Sequence, residues 1–143
     1  MTNEKTLHVT NKELFYAAAM LGIQQIVNVL YDFPASEAQF AKELEEVKKS
    51  LRLKKLLTES ARSGVSMDFA LAMCTAFCAE PDSCEAVASD GYDATVYNAA
   101  GMHMLLERRS EDDLAALWFQ ERKNLDQYLE DKLRKEAGSD GGA

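Results

Sequence analysis

Residues Glu85 to Glu107 read EAVASDGYDATVYNAAGMHMLLE. Three short segments, Glu85 to Ser89, Ala94 to Asn98 and Met102 to Glu107, are separated by Asp90-Gly91 and by Ala99-Ala100-Gly101. Glycine gives a tight hairpin loop the positive φ it needs, and alternating apolar and polar residues on either side are the mark of half-buried strands. The spacing predicts a three-stranded antiparallel meander. With Ala99 and Ala100 as the second turn, Tyr97 faces Met102 and Thr95 faces Met104, while Asp90-Gly91 aligns Cys84 with Tyr97 and Ala86 with Thr95. That set is the expected core face. The other face presents Val87, Ala94, Val96, His103 and Leu105, rimmed by Glu85 and Glu107, and is more apolar than a solvated sheet surface needs to be. It is read as a partner-binding surface, with cover by the last helix as the alternative.

Downstream, Ser110-Glu111-Asp112-Asp113 has the form of a capping box with acids in the first turn of a helix, and Lys132, Arg134 and Lys135 suit its last turn. The expected stripe is Leu114, Leu117, Trp118, Leu125, Tyr128, Leu129 and Leu133. A helix of about 26 residues spans roughly 39 Å, more than a small sheet requires. Leu125, Tyr128, Leu129 and Leu133 are therefore expected to project towards a partner helix or a second copy. Residues 137–143, rich in glycine, read as a flexible tail after a single domain over 1–136.

Upstream of the meander, Thr10-Asn11-Lys12-Glu13 is a capping box that opens a helix with the stripe Leu14, Phe15, Ala18 and Leu21, closed by Gly22. Ile23 to Leu30 reads as a short helix. After the break at Asp32-Phe33-Pro34, Ser36 and Gln39 cap a helix to about Ser50, lined by Phe40, Leu44, Val47 and Leu51. Leu53 to Leu57 and Gly64 to Met67 then form a small winged-helix-like hairpin or, as the alternative, continued helix. Ser66 caps a helix carrying Ala70, Met73, Cys74, Phe77 and Cys78, ended by Pro81. Helices first, then the meander, then a long helix make the fold α+β.

The chain has 143 residues, 47% apolar and 28% charged, in the range of a single globular domain. Its net charge of −8 repels phosphate backbones, so nucleic acid is not an expected partner. The exception is local, where Lys48, Lys49, Arg52, Lys54, Lys55 and Arg62 meet only Glu59. Neither a signal sequence nor a membrane-spanning run is read, which predicts a cytoplasmic protein. Cys74, Cys78 and Cys84 are then expected as reduced thiols packed in the core, not as zinc ligands, because neither His8 nor His103 lies near them in sequence. His103 reads as a strand residue. No nucleophile elbow, phosphate loop or metalloprotease motif occurs. No catalytic residue, metal or cofactor is expected.

The order of these elements, with Glu13-Leu14 to Gly22, Val29-Leu30, Ser50 to Leu57, Gly64 and ATVYNAAGMHMLLE, resembles the EspG-type accessory proteins of bacterial type VII secretion, of which the chain spans a single half. The resemblance implies a non-enzymatic cytosolic chaperone that binds a secreted helical substrate. The expected contacts are Val87, Val96, His103, Leu105, Leu125, Tyr128 and Leu129. A winged-helix DNA-binding regulator and a toxin-neutralising immunity protein are the alternatives from the element order and the acidic composition.

Overall fold

A computed structural model describes residues 6–27, 29, 31, 32, 34–60, 62 and 64–141, with side chains to Arg134. Val9–Ala79 forms one compact unit, and the described residues up to His8 and from Glu80 form another. The fold is α+β.

Strand β1 (Leu7–Thr10) runs across the chain boundary of the two units, and helix α1 (Asn11–Met20) follows it in the N-terminal one. Thr10 and Glu13 close the expected capping box: the Thr10 hydroxyl accepts from the Glu13 amide at 3.0 Å, and Glu13 Oε1 accepts from the Thr10 amide at 2.9 Å. Gly22, at φ +78°, follows the helix end, where a residue with a Cβ would be strained. Residues 23–26 are not helical, which corrects the short helix expected over Ile23 to Leu30; Leu30 itself, like Phe33, lies outside the described residues. Gln24, Gln25 and Val27 are exposed and Ile23 and Ile26 half-buried, so the apolar composition of the segment supplied neither a buried face nor a helical period.

Helix α2 (Glu37–Leu53) starts at Ser36, whose hydroxyl accepts from the Gln39 amide at 3.3 Å. It outruns Ser50 and takes Leu53, so the hairpin strands are β2 (Leu57–Ser60) and β3 (Gly64–Met67), paired Leu57 to Met67 and Ser60 to Gly64. Helix α3 (Phe69–Ala79) is started by Asp68 and not by Ser66: the Asp68 carboxylate accepts from the Ala70 amide at 3.0 Å. Leu14, Tyr16, Ala17, Val47, Leu51, Leu71, Cys74 and Cys78 are all buried, and α1 packs against both α2 and α3.

The C-terminal unit holds β4 (Ser83–Ser89), β5 (Tyr92–Ala99), β6 (Met102–Arg108), β7 (Asp113–Phe119) and helix α4 (Arg122–Gly141). The sheet has five strands in the order β1-β7-β6-β5-β4. The meander thus exists with two further strands. β7 corrects the expected start of the last helix at Ser110. The side-chain bond that suggested a cap is made, from the Asp113 amide to the Ser110 hydroxyl at 3.4 Å, but it stabilises a turn, since the same short-range bond serves either. Leu114 to Phe119 are apolar without a break, as befits a strand flanked on both sides and covered on both faces. At its other end α4 runs through residues 137–141, where a tail was expected; a helix already nucleated tolerates glycine at about 1 kcal/mol each.

The register has Cys84 opposite Tyr97 and Ala86 opposite Thr95, as the sequence predicted. Between β5 and β6 the pairs are Tyr97 with Met104 and Ala99 with Met102. The turn is Ala100-Gly101, at φ +52° and +77°, and not Ala99-Ala100. The shift is by two residues, so every side chain keeps the face assigned to it.

Candidate functional site

Face assignment alone does not make a surface. Ala94, Val96, Leu105, Leu117, Phe119, Leu125 and Leu129 form one buried cluster, with Val87, Tyr92 and Tyr128 packed against it. Helix α4 lies over β6 and β7. The structure therefore brings together six of the residues expected to meet a partner, Val87, Val96, Leu105, Leu125, Tyr128 and Leu129, and seats them against each other. This is a correction of the open face in favour of the alternative, cover by the last helix. The reason is that α4 begins at Arg122, directly after β7, and so folds its apolar side back onto the sheet.

The seventh, His103, is placed at the rim. Its Nδ1 is 2.6 Å from Oδ1 of Asn98, its partner across the strands. Asn98 donates to Glu85 Oε2 at 3.0 Å, and Arg122 grips Glu85 with two bonds of 2.7 and 2.9 Å. The Arg122 guanidinium, then the Asn98 amide, hold the Glu85 carboxyl down at about 2. This pair fastens the first turn of α4 to β4.

At the other end of the same face Glu107 is buried. Its Oε2 accepts from the Tyr92 hydroxyl at 2.6 Å and the Tyr128 hydroxyl at 2.9 Å, and its Oε1 from Arg109 Nη2 at 2.8 Å. Burial alone pushes the carboxyl up, but the three donors outweigh it and keep it ionised below its usual range. Sequence reading placed Glu107 on a rim and missed the network. The register was the signal available, because it sets Glu107 beside Ala94 and past Leu105 on the apolar face.

In the N-terminal unit Glu43 Oε1 accepts from the hydroxyls of Tyr31 at 2.5 Å and Tyr16 at 2.9 Å. Burial, then the Glu43 hydrogen bond, pushes the Tyr31 phenol up to about 12. Glu13, also buried, takes Lys54 at 2.5 Å and the Ser50 hydroxyl, tying α1 to α2. Cys74 is pushed up by a hydrogen bond with Cys78 and by burial, which disfavours the reactive thiolate. Among the described residues no group of three or more His, Cys, Asp or Glu is placed to hold a metal ion, and no helix is long and apolar enough to cross a membrane.

The most exposed of the large apolar side chains lie elsewhere. Leu53 at the end of α2 is 79% exposed, Val65 in β3 51% and Phe69 at the start of α3 77%. The hairpin brings these ends together: the Asp68 amide donates to the Leu56 carbonyl at 2.8 Å. Around them, Arg52 is paired with Glu59 and Lys54 with Glu13, while Lys55 and Arg62 make no ion pair with a described residue. Phe69 was not singled out from the sequence, because an aromatic beside an apolar helix stripe reads as part of that stripe. No known protein family matches the chain, and no curated protein matches it.

Proposed function

We propose that the chain is a non-enzymatic cytosolic adaptor that holds another protein, with a secreted helical substrate of a type VII secretion system as the occupant that the resemblance implies. The observation that carries the reading is the exposure of three large apolar side chains on and beside the hairpin, Leu53 at the end of α2, Val65 in β3 and Phe69 at the start of α3. Large side chains exposed around one element and edged by charge are what a partner-binding surface presents. Lys55 and Arg62, which make no ion pair with a described residue, favour a partner with apolar residues flanked by acids. An amphipathic helix laid against the hairpin meets that description.

The same cations favour DNA less, because α2, the helix a groove would receive, exposes Glu37, Glu45 and Glu46. A tagged chain recovered from its native host should carry a helical secreted protein identifiable by mass. Leu53→Asp with Phe69→Asp should release it while leaving the circular dichroism unchanged. Capture indifferent to both substitutions, or tight and salt-sensitive retention of duplex DNA, overturns the reading.

A further inference from the structure

Strand β4 ends the sheet order, and β5 is its only strand neighbour among the described residues. No described strand pairs with its other edge, and most of its residues are exposed. An open edge presents a row of unpaired backbone donors and acceptors, which proteins ordinarily guard with lysine, proline or a bulge. Ser83–Ser89, SCEAVAS, carries none of these. Its one charge, Glu85, is already neutralised by the two-bond grip of Arg122.

We infer that this edge pairs with the β4 edge of a second copy, antiparallel about a two-fold axis at Val87, to make one continuous sheet. The inference is independent of the hairpin surface. A two-fold perpendicular to the sheet keeps the α4 side of both copies on one face, which limits the register to pairings centred on a residue. Centring on Glu85 sets two carboxylates against each other, and centring on Ala86 sets Asp82 against Asp90 of the second copy. Like charges directly opposite are destabilising. Centring on Val87 sets Val87 against its own counterpart, Ala86 against Ala88 of the second copy, and Glu85 against Ser89 of the second copy. All of these pairs are small, apolar or hydrogen-bonding, none opposes like charges, and this register pairs five residues of β4, where centring on Cys84 or Ala88 pairs three. The net charge of −8 acts between the copies at a distance, but salt screens it over about 10 Å at 0.1 M ionic strength, whereas the edge itself is electrically balanced.

The pairing of Ala86 with Ala88 of the second copy gives a test specific to the register. Both side chains are exposed, so substitution leaves the fold intact. Light scattering on the unaltered chain should approach twice 15.9 kDa as concentration rises. Ala86→Lys with Ala88→Lys opposes like charges in both symmetric pairs and should return the mass to that of one chain. Ala86→Lys with Ala88→Glu opposes unlike charges and should restore the dimer. Hydrogen exchange of the unaltered chain supplies a reading free of variants, since the β4 amides should gain protection with concentration. A single-chain mass at every concentration, or two double variants that behave alike, overturns the inference.

Discussion

The Tyr128 hydroxyl on α4 and the Tyr92 hydroxyl on β5 share one oxygen, Oε2 of Glu107, at 2.9 and 2.6 Å. The carboxylate thereby joins helix to sheet at the end of an apolar cluster, and Arg109 balances its charge. Hydrogen bonds to a charged group contribute about 1.5–3 kcal/mol. Tyr128→Phe should therefore lower stability by an amount in that range, and Glu107→Gln by more, because it also strands Arg109. Denaturant unfolding of the two variants checks the order.

Acid should destabilise the protein through carboxylates whose folded values lie below their ordinary 4.5, namely Glu85 at about 2, and Glu107 and Glu43 in the same direction. A lowered carboxyl contributes stability above its unfolded value and loses it as pH falls through the folded one. The melting temperature should hold above pH 4.5 and decline towards pH 2, the window that Glu85 sets. Arg122→Gln removes the largest cause of the Glu85 shift and should flatten the decline.

Alkali acts with the opposite sign on Tyr31, whose phenol is raised from 10.0 to about 12 by burial and by Glu43. A raised group contributes stability below its unfolded value and loses it as pH rises through the folded one. Absorbance at the phenolate band should show Tyr31 titrating late, and Glu43→Gln should bring it back towards 10.0.

Reading the sequence worked where the decisive bonds are local. Thr10 with Glu13 and Asp90 with Gly91 each specify their structure within a few residues, so the first helix and the first hairpin were legible. Leu114 to Phe119 was not, because its apolar residues fit a helical stripe as well as a doubly covered strand, and only the neighbours β1 and β6 decide between them. β1 is too short to announce itself. The candidate face was read with its members correct, including Val96 and Leu105, but its exposure hung on where α4 begins. Moving that start from Ser110 to Arg122 turns the helix back over the sheet.

Val96 and Leu105 give that correction a sharp consequence. Both side chains are fully buried, so Val96→Lys or Leu105→Asp places an unpaired charge in the core, at a cost of several kcal/mol. Either variant should unfold, where an open binding face would have tolerated both. Leu125→Ala should cost about 2–5 kcal/mol as a cavity. A variant that kept its melting temperature would show that α4 leaves the sheet in solution.

Ala100 holds φ +52° in the turn between β5 and β6, followed by Gly101 at φ +77°. Two successive left-handed residues define the turn that matches the twist of a two-residue hairpin, and Asn-Gly is its favoured pair. Alanine there bears a strain of roughly 1–2 kcal/mol, because its Cβ crowds the following carbonyl. Asparagine tolerates the conformation far better, and the Ala100 position is exposed, so a larger polar side chain meets no packing obstacle. The Ala100 amide donates to Asp82 at 3.2 Å, a backbone bond that substitution preserves. Ala100→Asn should therefore raise stability by about 1 kcal/mol, read as a higher denaturant midpoint with an unchanged slope. Ala100→Val, whose branched side chain worsens the same contact, should lower it. If both variants moved stability in the same direction, backbone strain at this turn would not be what limits the hairpin.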